Sequence, residues 1–161
     1  GDCPMSTLSV DTIQGKTTAG TVAMPAGHVI QTQRSTITSQ VNTDSTSYAD
    51  TGNSVTITPK FSSSMIFIMM LGGRITYGTS TAGQLSVQLH VDGVNTAQFV
   101  DSLQQGSNNV AYGFTLCQSF FHSPNTTNAV VYKTVFKSNG TNVYYNSTGV
   151  PISLIVQEIK Q

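Results

Sequence analysis

Three histidines, seven acids, seven bases and two cysteines are what this 161-residue chain offers for chemistry. His90 and Asp92 lie two residues apart, so a strand carries both on one side, where they could begin a metal site. Zinc needs three or four ligands, and no His-x-His pair occurs to stack a metal on a threefold axis. The plainer reading makes His90 a solvent-facing residue and Asp92 the start of a turn. Two-carboxylate glycoside cleavage needs both acids held about 5–10 Å apart. Asp11, Asp44, Asp50, Asp92, Asp101 and Glu158 are scattered, and Asp44 and Asp50 sit in a Ser/Thr-rich stretch where Asp serves turns and caps. No Gly-x-Ser-x-Gly elbow is present, nor a phosphate loop. Gly72-Gly73 leads into Arg74-Ile75-Thr76, a second strand pattern rather than a helix. The expectation is a protein without catalytic residues, metal or cofactor, and not an enzyme. A depolymerase with a site shared between subunits is the remotest alternative.

Aromatic residues near strand ends are the remaining candidates: Tyr77, Tyr112, Phe120, Phe121, Tyr144 and Tyr145. An aromatic ring can stack on a sugar face while Asn and Gln amides bond its hydroxyls. Alternation sends Phe120 and one of Tyr144 and Tyr145 to the core. The ligand-binding set expected from sequence is Phe121, His122, Asn125, Tyr77 and Tyr145. Asn125, Asn139 and Asn146 each open an Asn-x-Ser/Thr acceptor pattern, which arises by chance in a chain this rich in Asn, Ser and Thr.

The elements that must hold these residues are built from unusual material. Only 9% of the chain is charged, and its formal net charge is zero; an ordinary soluble domain is about 25% charged. Charge normally keeps a lone sheet protein soluble and blunts its edges. Such a surface suits burial between subunits or contact with neutral partners such as sugars. Seven Lys and Arg give no basic stripe for nucleic acid. No apolar run approaches the ~20 residues of a membrane helix, so no membrane insertion is expected. No basic region followed by an apolar stretch opens the chain, and no signal peptide is predicted. Gly1-Asp2-Cys3-Pro4 precede Met5 and read as an addition ahead of a native start. Cys117 would then be the lone native cysteine, read as a small buried hydrophobe.

From Val29 onward the pattern is β. Leu85, Val87, Leu89 and Val91 alternate with Ser86, Gln88 and His90, a two-residue period with one dry face. Asp92-Gly93 and Asn139-Gly140 are strong hairpin signals. About eight strands are expected in a domain over 29–161, with a turn of helix as the alternative near Ser102 to Ser107. Residues 5–28 hold too few apolar side chains for a core of their own and read as an arm for attachment or trimerisation. The run Met65-Ile66-Phe67-Ile68-Met69-Met70-Leu71 is apolar at every position. A strand apolar on both sides must be covered on both sides. One face meets the opposite sheet, and the simplest cover for the other is a second copy. The N-terminal arm is the competing cover. Met65, Phe67, Ile68 and Met69 are the expected interface.

Several blocks in order carry a resemblance. They are Ser6-Thr7-Leu8-Ser9-Val10-Asp11-Thr12-Ile13-Gln14, Thr18-Ala19-Gly20-Thr21-Val22 and Pro25-Ala26-Gly27-His28-Val29-Ile30-Gln31. Farther on come Thr51-Gly52-Asn53-Ser54-Val55-Thr56-Ile57-Thr58-Pro59, Asn128-Ala129-Val130-Val131-Tyr132-Lys133 and Ile152-Ser153-Leu154-Ile155-Val156-Gln157-Glu158-Ile159. Their succession resembles tail-fibre-like structural proteins of marine and cyanobacterial phages. One position departs: such chains carry Arg or Lys before the Asp-Gly turn, where this one has His90-Val91-Asp92-Gly93. The resemblance implies an all-β antiparallel sandwich, a jelly-roll head similar to tumour-necrosis-factor-like trimers, in a virion protein of the tail fibre or capsid surface. The resemblance supplies no ligand; taken with the neutral polar surface and the aromatic candidates, it leads to three expected partners: identical copies, a host-surface glycan or protein, and other virion proteins through the arm. A capsid-decoration or tail-connector protein without receptor binding is the alternative.

Overall fold

The computed structural model describes residues 25–77, 83–104, 113–146 and 149–161. They form ten strands: β1 (Val29–Ile37), β2 (Val41–Thr43), β3 (Ala49–Ile57), β4 (Met65–Tyr77), β5 (Gln84–Val91), β6 (Val94–Gln104), β7 (Gly113–His122), β8 (Val130–Ser138), β9 (Val143–Tyr145) and β10 (Ile152–Ile159). No helix occurs among the described residues. The strand that the sequence does not announce is the three-residue β2, too short to show alternation; β9 falls within Asn142 to Asn146, the return expected after Asn139-Gly140.

The pairing has a simple rule. β1 joins β10, β2 joins β9, β3 joins β8, β4 joins β7 and β5 joins β6, all antiparallel. The chain is therefore one long hairpin with its tip at Asp92-Gly93. It is wrapped so that β10 and β9 also meet β4, and β8 meets β5. The wrap yields a six-stranded sheet, β1-β10-β4-β9-β2 with β7 on β4, over a four-stranded sheet, β3-β8-β5-β6. That is a jelly-roll sandwich.

The two turn signals had different fates. Asp92 and Gly93 take φ of 49° and 83°, and Val91 pairs Val94. These are the two left-handed positions of a type I′ hairpin. Gly140 also turns with φ 101°, but its flanking strands do not pair. β8 lies in the four-stranded sheet and β9 in the six-stranded one. The Asn-Gly dipeptide makes a turn; the register of the partner strands decides whether a hairpin follows. Residues 102–104, in the stretch allowed for a helical turn, continue β6, and 105–107 lie outside the described residues. So do residues 5–24 of the arm. At its end, Gly27 N donates to Lys160 O at 2.7 Å and Lys160 N to His28 O at 3.0 Å, which ties the entry to the last strand.

The core follows the two-residue period. Ile66, Ile68 and Met70 of β4, Leu154 and Val156 of β10, Leu85, Val87 and Leu89 of β5, and Tyr132 and Phe136 of β8 are buried between the sheets. Each large aliphatic side chain so buried contributes roughly 1.5–3 kcal/mol. Ile68 is thus a core residue of its own subunit, and its expected place in an interface is corrected. Strand geometry sends alternate residues to opposite faces, so the all-apolar run is split: Met65, Phe67, Met69 and Leu71 remain outside, half-buried.

Two features lock this arrangement. Gly72 and Gly73 take φ of 90° and 68° at a register shift between β4 and β7. A Cβ on Gly72 would stand 2.4 Å from the Pro151 carbonyl oxygen. Only glycine lets the bulge form there, and past it Ile75 points into the core. The second lock is Glu158, whose side chain is buried. It accepts hydrogen bonds from Ser64 Oγ at 2.6 Å, Gln31 Nε2 at 2.6 Å, Lys60 N at 2.7 Å and Phe61 N at 3.2 Å. Burial pushes its carboxyl upward, but these four donors together outweigh burial and hold it below the usual carboxylate range. The carboxylate fastens the β3–β4 loop to β10.

Candidate functional site

The five residues proposed from sequence do not come together. Phe121 is 55% exposed on the outside of the six-stranded sheet, stacked on its β4 partner Phe67 with ring centroids 4.5 Å apart. His122 points the other way. Its Nδ1 lies 2.8 Å from the hydroxyl of buried Tyr132, and the rings meet edge to face at 5.8 Å. Burial lowers the His122 pKa, with nearby Asp92 opposing. Burial and then Asp92 push the Tyr132 hydroxyl far up. Asp92 in turn accepts from Val131 N at 2.8 Å. His122 is therefore a clasp between the sheets. Asn125 is exposed with φ 53°, and its Nδ2 donates to Ser123 O at 3.1 Å, as a turn residue does.

Tyr77 closes β4 opposite Val143; its side chain lies outside the described part. Ile66, opposite His122, stands eleven residues back along the same strand, about 35 Å at strand rise. One small ligand cannot span both. Tyr145 is a correction. It is fully buried, with its hydroxyl 3.2 Å from Thr134 Oγ1 and 3.3 Å from Met70 Sδ. Alternation places one of the two adjacent tyrosines inside, and Tyr145 is that one. Asn146 is also buried, which removes it as a glycan acceptor.

What the fold does assemble is two outer faces. On the six-stranded sheet, β4 presents Met65, Phe67, Met69 and Leu71. β10 places Ile159, Gln157, Ile155 and Ser153 opposite them. β7 places Phe121, Ser119 and Cys117 opposite Phe67, Met69 and Leu71. Between Met65 and Leu71 of β4 and the residues of β7 and β10 opposite them no charged side chain falls on this face; Arg74, past the glycine bulge, is exposed at the far end of β4 beside Gly113 of β7, and Arg34 stands on β1 opposite Ile155. Cys117 is exposed, so its expected burial in the core is corrected: it occupies an outward position of β7. Among the named interface residues, Met65, Phe67 and Met69 lie on this face.

The four-stranded sheet turns out polar groups. Gln88 is 8% exposed, and its Nε2 donates to Gln98 Oε1 at 2.7 Å. Gln98 Nε2 donates to Val87 O at 3.3 Å and to Val100 O. His90 Nε2 lies 3.1 Å from Gln88 Oε1. The Tyr48 ring sits 6.2 Å from the His90 ring, and Lys137 Nζ stands 4.8 Å from the Tyr48 centroid. Lys133 Nζ pairs with Asp50 Oδ2 at 3.2 Å. The sequence signal for this face was the polar half of the β5 alternation. Tyr48, isolated in a Ser/Thr-rich stretch, gave none. Among the described residues, no three His, Cys, Asp or Glu gather as a metal site.

No protein-family model and no curated protein matches the chain. Among solved structures, a chain from "Structure of infectious bursal disease virus Gx strain" is similar at 13% identity with a TM-score of 0.36. The match covers 97% of this chain and 45% of that one. Likeness at that level assigns no function.

Proposed function

We propose that the chain is a virion structural protein of fibre type, a homotrimeric jelly-roll head that binds a host-surface receptor. The observation that carries the reading is the outer face of the six-stranded sheet. Around the stacked Phe67 and Phe121 it sets Met65, Met69, Leu71, Ile155 and Ile159 with no outward charge among them; Arg74 lies beyond the bulge at the far end of β4. A contiguous apolar surface of this kind marks an interaction site, and a second copy is the most economical cover for it. The threefold order, the virion and the receptor rest on the sequence resemblance. The near-neutral polar composition supports a glycan as the receptor.

Binding of the purified, fluorescently labelled chain to a panel of marine bacterial and cyanobacterial cells tests this. The expected result is saturable binding to some strains, abolished by stripping surface polysaccharide. A folded oligomer with no affinity for any strain or envelope extract would contradict receptor binding and favour a capsid or tail-connector role.

A further inference from the structure

We propose that the receptor contact lies on the outer face of the four-stranded sheet, at Tyr48, His90, Gln98 and Lys137 above the buried Gln88, and that it takes a saccharide bearing a carboxylate. This deepens the preceding reading and rests on it. Three observations point to the place. The amides are held before any ligand arrives: Gln88 is almost fully buried and bridged to Gln98, which is itself bonded to two strand carbonyls. Preorganised polar groups lose little entropy on binding. Two rings, Tyr48 and His90, stand side by side at the margin of this ladder and offer apolar surface for the C–H face of a pyranose. Lys133 is paired with Asp50, whereas Lys137 has a ring for its partner. Its ammonium retains donors for an anion, and a charge-assisted bond is among the stronger polar contacts available. The patch offers a sugar acid the tilted Tyr48–His90 pair for its C–H surface, the second lone pair of the exposed Gln98 Oε1 for a hydroxyl and the Lys137 cation for the carboxylate, with buried Gln88 holding Gln98 in place.

At the loop around Asn125, His122 faces inward to Tyr132.

Calorimetric titration of the full chain with paired neutral and uronate- or sialate-bearing oligosaccharides tests the assignment. The acidic member of some pair should bind at least tenfold more tightly than its neutral counterpart. Lys137→Gln and Tyr48→Ala should each weaken that binding at least tenfold with an unchanged melting profile, and Asn125→Ala should leave it intact. Lys137→Gln and Tyr48→Ala binding as tightly as wild type, with Asn125→Ala losing affinity, would overturn this placement while leaving a glycan receptor in force. Saturable cell binding with no affinity for any saccharide would overturn the ligand class. Absence of cell binding would defeat the underlying reading instead.

Discussion

The central strand of the six-stranded sheet and that of the four-stranded sheet solve the same inner problem and present opposite chemistry outside. β4 buries Ile66, Ile68 and Met70 and leaves Met65, Phe67, Met69 and Leu71 facing out. β5 buries Leu85, Val87 and Leu89 and turns out Ser86, Gln88 and His90. The inward halves are interchangeable in kind, because hydrophobic burial is non-directional and follows area. The outward halves are not. One carries no charge from Met65 to Leu71 or opposite them; the other holds an amide ladder, an ion pair and a cation over a ring. The lesson is that a strand apolar at every position does not need a thicker fold. It needs a partner for its second side.

The sharpest way to break the comparison is a pair of adjacent substitutions. Ile68→Asp places an unpaired charge between the sheets and should destroy the cooperative fold, at a cost of about 4 kcal/mol or more. Phe67→Asp places the same charge on the outer face. It should leave a folded chain with near-native circular dichroism that no longer associates. If both unfold alike, the outer face is part of the subunit's own core and the comparison fails.

Gly72→Ala comes next, with an expected loss of about 2–4 kcal/mol in denaturant midpoint analysis. The cost combines a left-handed backbone with a Cβ 2.4 Å from the Pro151 oxygen. Ala at Gly93, φ 83° with open space around its Cβ, should cost only about 1 kcal/mol, from the backbone alone.

Glu158→Gln should lose about 2–3 kcal/mol at neutral pH, because hydrogen bonds to a charged acceptor are the stronger kind. Its folded carboxyl titrates below the unfolded value. That stability is therefore complete above about pH 4.3 and falls as pH drops through the folded pKa. Melting temperature against pH should show this acid limb in wild type and not in the Gln variant. His122 acts in a separate window. Its pKa is lowered on folding, so stability is full above about pH 6.5 and declines as acid charges the ring. His122→Gln should flatten that shallower limb.

The smallest effect belongs to the polar face. Lys133→Gln, which removes the exposed pair with Asp50, should change stability by about 0.5 kcal/mol or less.

Much of this architecture was legible in the chain. The alternation of Leu85 to Val91 gave a strand with its dry face, and Asp92-Gly93 gave its turn, because both signals are local. The second turn, at Asn139-Gly140, misled because a left-handed dipeptide specifies a bend and not a partner strand. The five-residue ligand set failed for a related reason. Phe121 and His122 are neighbours in sequence, but alternation sends them to opposite faces, and Tyr145 follows the same rule into the core. The polar face was hidden because Tyr48, Gln88, Gln98 and Lys137 come from four separate stretches that only sheet register brings side by side.

Sedimentation velocity of wild type and Phe67→Asp at micromolar concentration tests the self-association claim most directly. The account predicts a trimer for wild type and a folded monomer for the variant. A compact wild-type monomer, or a Phe67→Asp chain that sediments as the wild-type assembly, would contradict it.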